Sequence, residues 1–178
     1  KVHRGVIAAI EAFNSNDMSH SGTWCFMIKG DGQQGKTRLI NELYRECVHQ
    51  DLKCLRLILN AKHTSMPFWT VKYCLGKILE SENENGNIQD VIADKFSVLP
   101  VKREYLCALN SIFDTNFPAH STASSSVDNL KIRKLALRIL CHHLSSHFWI
   151  VFIDDADYID ADSLELLPTI FQARNVFF

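Results

Sequence analysis

The chain has 178 residues, enough for one ordinary domain with its own buried core. Its net charge of -1 at pH 7 gives no field that would attract nucleic acid or anionic lipid, so we expect neither as a partner. No leader segment is recognised and no apolar run is long enough to span a bilayer, so we do not expect membrane insertion.

The first third of the chain alternates helical and strand patterns. Gly5–Phe13 has apolar residues at helical spacing, and Thr23–Lys29 is a short run of aromatic and branched residues typical of a buried strand. A glycine-rich segment follows, and then Lys36–His49 has the apolar stripe of an amphipathic helix. Lys53–Leu59 predicts a second strand.

The middle of the chain is predicted to be mostly helical. Pro67 suits the first turn of a helix that runs to Leu79. The stretch Phe117–Ser126 is rich in Ser and Thr and predicts disorder. We interpret residues 60–145 as a helical insertion within an α/β core. Further helical patterns cover Ile88–Phe96, Val101–Phe113 and Asp128–Ser145.

The last third contains the clearest strand, Phe148–Ile153. Asp160 can then cap a last helix that ends at Phe171. Strands separated by helices favour a parallel sheet with crossover helices.

The segment after the first predicted strand matches the phosphate-binding pattern GxxxxGK[ST] at every fixed position. It reads Gly30-Asp31-Gly32-Gln33-Gln34-Gly35-Lys36-Thr37. The glycines permit backbone conformations in which the loop's N–H groups turn towards phosphate oxygens, and the following helix presents its positive end there. Lys36 would reach the β- and γ-phosphates, and the Thr37 hydroxyl would bind magnesium. An ordinary glycine turn is the alternative.

The strand Phe148–Ile153 ends in two carboxylates, Asp154 and Asp155. A phosphate-binding loop needs a second magnesium anchor at the mouth of a neighbouring parallel strand, and Asp154 suits that role. Asp155 could orient or deprotonate an attacking water, which makes it the candidate catalytic residue. The alternative is that both merely begin a turn. Asp157, Asp160 and Asp162 are predicted to serve that turn and the next helix.

These motifs predict an α/β fold with a P-loop NTPase core, a parallel sheet and the helical insertion, all in one domain over residues 1–178. The candidate nucleotide-binding residues are Gly30 to Thr37 together with Arg38, the candidate metal ligands are Thr37 and Asp154, and the expected ligands are ATP and Mg²⁺. The guanine-reading NKxD pattern is absent from the sequence, which favours ATP.

Six cysteines are scattered without a CxxC pair, so neither a zinc cluster nor a redox motif is indicated. Most lie in apolar runs, where a free thiol behaves as a small buried side chain. This usage fits a reducing compartment, and we expect the cytoplasm. Trp69 and Phe68 could touch a base, although core packing is the interpretation that we favour.

Three segments resemble the signalling ATPases related to AAA proteins. They are Met27–Leu39, Ile153–Ser163 and Met66–Val71, and together they are most similar to the internal ATPase-like region of the soluble adenylyl cyclases. The resemblance implies a regulatory module within a larger signalling protein that makes cyclic AMP, with other domains of the same parent chain as partners. Those proteins carry the cyclase chemistry in separate domains, and none of its residues is found here.

Two other functions remain open beside a regulatory nucleotide switch. One is an ATPase that couples hydrolysis to the remodelling of a partner, and the other is an interaction scaffold with a degenerate pocket. The family also has another strand between the phosphate-loop strand and the acidic strand. We therefore expect the core to be incomplete at its C-terminal end, with Val176–Phe178 beginning that strand between Trp24–Ile28 and Trp149–Ile153. A frayed apolar terminus is the alternative.

Overall fold

The chain is a mixed α/β protein, mostly helical, with a small parallel sheet. The computed structural model describes residues 4–8, 10, 25–82, 87–97, 104–118, 126–142, 149–171 and 176–177. Residues 4–8 and 10 are helical and form α1. The other helices are α2 (Lys36–His49), α3 (Trp69–Glu82), α4 (Ile88–Ser97), α5 (Glu104–Cys107), α6 (Asn110–Phe113), α7 (Ser126–His142) and α8 (Ala161–Phe171). Short 3₁₀ turns span His63–Ser65 and Ala156–Tyr158, and the strands are β1 (Lys53–Ile58), β2 (Trp149–Asp154) and β3 (Val176–Phe177).

The sheet has the order β1-β2-β3, and both pairings are parallel. Lys53 lies opposite Trp149 at one end of the β1–β2 pair, and Ile58 lies opposite Asp154 at the other. The central strand β2 is apolar from Trp149 to Ile153 because helices cover it on both faces, as in other parallel sheets. Its carboxyl end is therefore where the first polar side chain, Asp154, emerges.

Side chains of β2 alternate between two cores of unequal size. Trp149 and Val151 belong to the large core, which is built mainly from helices α3 to α8. Ile150 and Phe152 belong to the small core, which also contains Leu43 of α2 and two residues of α1, Val6 and Ile10. The helix that follows the glycine-rich loop thus packs on the thinner side of the sheet.

Several sequence predictions are confirmed by the structure. Helices α2 and α8 have the predicted bounds, and β1 and α4 differ from their predicted ranges by one residue at one end. The predictions for β2 and α7 are confirmed over the described residues, and residues 143–145 and 148 lie outside them. The helix predicted around Tyr73 is also present as α3, but Pro67 lies in the turn before it and not in its first turn, since α3 begins at Trp69 and continues past Leu79. Of the described residues, no helix is long and apolar enough to cross a membrane.

The predicted strand Thr23–Lys29 is wrong for the residues that the structure describes. Residues 25–29 have no regular secondary structure, and Phe26 and Met27 are 50% and 74% exposed. A strand is defined by hydrogen bonds to a neighbour, and no described strand pairs with this segment. Residues 23 and 24 lie outside the described residues.

The predicted helix Val101–Phe113 is two short helices, α5 and α6, over the described residues 104–113, and residues 101–103 lie outside the described residues. Between them Leu109 N–H donates to Leu106 O at 3.0 Å, a bond of the tighter 3₁₀ type. Phe117 is also more ordered than predicted, because its N–H and carbonyl both bond to the Asn110 side chain. The rest of the predicted disordered stretch, residues 119–125, lies outside the described residues.

The prediction that Val176–Phe178 begins a strand between two others is confirmed for one of the two neighbours, β2. Val176 and Phe177 pair in parallel with Trp149 and Ile150 of β2. Pairing of β3 with the segment before the glycine-rich loop is absent among the described residues. Trp24 and Phe178, which belong to the same prediction, lie outside them.

Candidate functional site

The glycine-rich loop leads directly into helix α2. Gly35 is the residue before the helix and has φ 80°, a left-handed conformation that glycine adopts without strain. Gln33 also has a positive φ, 62°. No side chain caps the helix, and its first hydrogen bond runs from Leu39 N–H to Gly35 O at 2.9 Å. The amides of the first turn are therefore left for an external acceptor.

The Lys36 side chain folds back over the loop that precedes it. Its Nζ donates to Gly30 O at 2.6 Å and to Asp31 O at 2.7 Å. Both acceptors are neutral carbonyls, so the ammonium charge has no anionic partner among these contacts. An anion that enters the loop would meet a cation already held at its centre.

Gln34 lies across the first glycine of the loop. Its Oε1 is 2.5 Å from the position that a β-carbon on Gly30 would take, while its Nε2 donates to Asp31 Oδ2 at 3.4 Å. A side chain at residue 30 would therefore have to displace the end of Gln34. Gly32 has open space around it, so in this conformation nothing close by excludes a side chain there.

The structure brings the two candidate metal ligands together. Thr37 Oγ1 donates to Asp154 Oδ1 at 3.4 Å, although the two residues are 117 apart in sequence. Asp154 is at the carboxyl end of β2, and Leu59 N–H donates to its carbonyl at 3.2 Å, which extends the β1–β2 pairing past Ile58. A hydroxyl and a carboxylate oxygen at this separation can share one hard cation such as Mg²⁺.

Asp155 follows in an unusual backbone conformation. Its φ of 56° and ψ of 47° are left-handed, which aspartate tolerates better than most residues. Its N–H donates to Asp154 Oδ1 at 3.1 Å, and its side chain is exposed. The turn thus fixes the Asp154 carboxylate and leaves the Asp155 carboxylate free to meet water.

A cavity of about 470 Å³ lies between the segment before the loop and strand β2. Its volume is within the range of roughly 300–1,000 Å³ typical of small-molecule sites. Lys36 and Asp154 line it together with Lys29, Asp155 and Asp157, and Ile150 and Phe152 add apolar lining from β2. The cavity therefore combines charged groups with apolar surface.

The remaining candidate residue, Arg38, is paired with a side chain of its own helix. Its Nε donates to Glu42 Oε1 at 2.9 Å, one turn further along α2, and both side chains are exposed. Hydrogen bonding to Glu42 raises the pKa of Arg38. Exposed pairs of this kind contribute little to stability. In this conformation Arg38 does not join the other predicted site residues.

Among the described residues, no group of three or more His, Cys, Asp or Glu side chains is arranged to hold a metal. Magnesium differs from zinc in this respect, since it is commonly bound through one or two protein oxygens, phosphate oxygens and water. The pair formed by Thr37 and Asp154 fits that mode of binding and does not fit a metal held by protein ligands alone.

The thiols do not add a nucleophile to the site. Burial raises the pKa of Cys25, which lines the cavity, and raises the pKa of Cys74 and Cys141 in the large core to about 12. Cys47 and Cys54 share a hydrogen bond, which lowers the pKa of Cys47 and raises that of Cys54. A thiol with a raised pKa is a poor nucleophile at neutral pH, and Cys47, whose pKa is lowered, is buried in the small core and does not line the cavity.

Asp160 caps helix α8 as predicted. It also caps helix α3, which the sequence did not predict. Its Oδ1 accepts from Ser163 N–H at 2.8 Å and from Phe68 N–H at 2.9 Å. Its Oδ2 accepts from Thr70 N–H and from Thr70 Oγ1, both at 3.1 Å. The same carboxylate therefore caps α8 and α3 together, and Ser163 Oγ adds a bond from Val71 N–H at 3.0 Å.

No protein-family model, no curated protein and no solved structure matches this chain.

Proposed function

We propose that this chain binds ATP with Mg²⁺ and acts as a regulatory nucleotide switch in a larger cytoplasmic signalling protein similar to the soluble adenylyl cyclases. The observation that carries the proposal is the 3.4 Å contact between Thr37 Oγ1 and Asp154 Oδ1. Two motifs far apart in sequence meet in this contact, and Lys36 and Asp154 both line the cavity.

The phosphate-binding step follows from the state of Lys36. Its ammonium group is held by two carbonyls of the loop. Phosphate oxygens would replace these neutral acceptors with charged ones, which adds a Coulomb attraction between opposite charges. The unbonded amides at the start of α2 and the helix dipole add to the attraction. Binding therefore exchanges contacts within the loop for contacts to the nucleotide.

The metal would be held by the Thr37 hydroxyl and the Asp154 carboxylate. When bound, Mg²⁺ would supply positive charge that neutralises the β- and γ-phosphates. Asp154 is held in position by Asp155 N–H at 3.1 Å and by its place at the end of the central strand. A preorganised carboxylate of this kind loses little freedom when a ligand arrives.

The proposal includes a P-loop core whose phosphate-binding loop is residues 30–37. Residues 25–29, which have no regular secondary structure, lead directly into this loop. A switch of this kind would order residues 25–35 when nucleotide binds and would pass the change to neighbouring domains.

A second candidate function is an ATPase that couples hydrolysis to work on a partner. The exposed Asp155 carboxylate, next to the proposed metal ligand, favours it because that side chain can accept a proton from water. Steady-state turnover of ATP separates the two candidates: a switch that only binds nucleotide hydrolyses it slowly, and an ATPase turns it over repeatedly.

The test is calorimetric titration with ATP in the presence and absence of Mg²⁺, with GTP as the competing nucleotide. We expect Lys36→Ala to weaken Mg–ATP binding at least about 30-fold, since a charge-assisted phosphate contact contributes on the order of 2 kcal/mol. Lys53→Ala, at the opposite end of β1, is the matched control and should bind normally. Equal affinity of Lys36→Ala and the unaltered chain would contradict the assignment, and absence of any nucleotide binding would favour the scaffold.

A further inference from the structure

The contacts of Asp160 join two helices that are far apart in sequence. This group, which we call the Asp160 junction, consists of Asp160, Ser163, Phe68, Thr70 and Val71. Its bonds between the two helices span 90 to 92 residues, and Asp160, Thr70 and Ser163 are almost completely buried. Because each carboxylate oxygen accepts two donors, the start of α3 and the start of α8 are fixed to one side chain.

The junction also holds an unfavourable backbone conformation. Phe68 has φ 59°, in the left-handed region that a bulky residue other than glycine rarely adopts. Its N–H donates to Asp160, and the Arg133 guanidinium lies over its ring, 5.1 Å from the centroid. Phe68 is buried in the large core. A conformation of this kind persists only where its surroundings hold it, so Phe68 would relax if Asp160 were released.

A short turn connects the junction to the proposed nucleotide site. Strand β2 ends at Asp154, and the 3₁₀ turn Ala156–Tyr158 leads to Asp160. Tyr158 N–H donates to Asp155 O at 3.0 Å, and Thr64 Oγ1 donates to Tyr158 O at 3.5 Å. Asp154 is thus held by Thr37 at one end of this turn, and Asp160 is held by α3 at the other.

We propose that Asp160 is a positioning residue that couples nucleotide occupancy at the Thr37–Asp154 pair to the conformation of Phe68 and the start of helix α3. The inference rests on the proposed function and adds to it the element that responds to nucleotide. When Mg–ATP holds Asp154, the turn holds Asp160 and the left-handed Phe68 is maintained. In the nucleotide-free protein the junction opens more often, and the first turn of α3 frays with it.

The test is hydrogen–deuterium exchange of single amides, followed by NMR, with and without Mg–ATP. We expect Mg–ATP to slow exchange of the Phe68 and Thr70 amides about fivefold or more, in line with ordinary coupling between sites. Phe117 is the internal control, because its N–H is also held by a side chain, Asn110 Oδ1 at 2.9 Å, but not by the junction. Its exchange should not change.

The decisive variant is Asp160→Asn, whose amide group would turn N–H donors towards the N–H groups of α3. It should bind Mg–ATP within about tenfold of the unaltered chain, since linkage limits the change to the coupling itself, and should lose the slowing at Phe68 and Thr70. Asp162→Asn, an exposed acid in the same first turn of α8, is the matched control and should keep it.

Each outcome decides between the two proposals. Binding of Mg–ATP without any change at Phe68 and Thr70 would overturn the coupling and leave the nucleotide site standing. Absence of Mg–ATP binding to the unaltered chain would overturn the site, and the coupling with it. If Asp160→Asn does not fold, the double variant Thr70→Val with Ser163→Ala removes two junction bonds, and it should cut the slowing at Phe68 at least twofold; full slowing there would overturn the coupling.

Discussion

Two buried carboxylates lie at the two ends of one short turn, and they differ in how completely they are hydrogen-bonded. Asp160 is 1% exposed and accepts four donors, two on each oxygen. Asp154 is 4% exposed, and among the described residues its side chain accepts only a bond from Asp155 N–H and a long one from Thr37 Oγ1. Burial is therefore nearly the same in both, while hydrogen bonding is not.

The difference separates a structural carboxylate from one that is available to a ligand. A buried charge is tolerated when its hydrogen-bonding capacity is met, and Asp160 meets it entirely within the protein. Asp154 keeps capacity on Oδ2 and faces the cavity that contains Lys36. The protein would complete the hydrogen bonding of Asp154 with a ligand, and it has already completed that of Asp160 with two helices.

The largest expected effect is on folding stability and distinguishes the two carboxylates directly. Asp160→Asn should lower the free energy of unfolding by about 3 kcal/mol, because buried N–H donors lose a charged acceptor and face an amide group. Asp154→Asn should change it by less than about 1 kcal/mol, since fewer bonds are lost. Urea unfolding followed by circular dichroism measures both, with the exposed Asp94→Asn as control. Equal losses at Asp154 and Asp160 would remove the distinction.

The next effect concerns ligand binding and is expected at Asp154, the carboxylate whose loss costs less stability. Asp154→Asn should weaken ATP binding about tenfold in the presence of Mg²⁺ and hardly at all in its absence, because only the metal-bound state needs the carboxylate charge. Titrations at matched ionic strength, with and without EDTA, measure the two affinities. An equal loss in both conditions would show that Asp154 does not act through the metal.

A smaller effect is expected from the neighbouring acid. Asp155→Asn should leave ATP affinity within about threefold and should slow any hydrolysis at least about tenfold, since its proposed role is on water and not on bound nucleotide. Single-turnover experiments with radiolabelled ATP separate the two. Unchanged hydrolysis by the variant would reject Asp155 as the catalytic residue and return it to a role in the turn.

The last effect is confined to alkaline pH and tests the burial of two thiols in the large core. Burial raises the pKa of the Cys74 and Cys141 thiols from 9.0 to about 12. A thiol whose pKa is higher in the folded state than in the unfolded state contributes stability that is fully present below the unfolded-state pKa. That stability is lost as the pH rises towards the folded-state pKa. Stability should therefore fall between about pH 9 and pH 12, and Cys74→Ala should fall less steeply there. Thermal melts across that pH range measure the slopes, and parallel slopes would contradict the burial of the thiol.

The order of helices and strands was largely predictable from local pattern. Helix α2, strand β1 and the acidic end of β2 follow from apolar periodicity, glycine spacing and the position of Asp154. The helix cap at Asp160 followed from its place before a helical pattern. These features depend on residues a few positions apart, which is the range over which sequence patterns carry information.

Other features depend on contacts that no local pattern contains. The left-handed Phe68 is held by Asp160 from far along the chain, and phenylalanine gives no hint of a positive φ. The strand predicted at Thr23–Lys29 failed over residues 25–29 for a related reason, since an apolar run becomes a strand only when a neighbour supplies hydrogen bonds. The meeting of Thr37 and Asp154 was expected, because a phosphate-binding loop calls for a second magnesium ligand at the end of a neighbouring strand.

The pairing of β1 with β2 has a consequence for how the protein is made. Lys53 pairs with Trp149, and the chain between them includes helices α3 to α7. At ordinary rates of translation β2 leaves the ribosome between about 5 and 20 s after β1. During that time β1 has no partner strand, and contacts of this sequence separation also form slowly. Helices α2 and α3 pack against β1, and they precede and follow it in the chain. These two helices can therefore shield the unpaired strand from aggregation until β2 is synthesised.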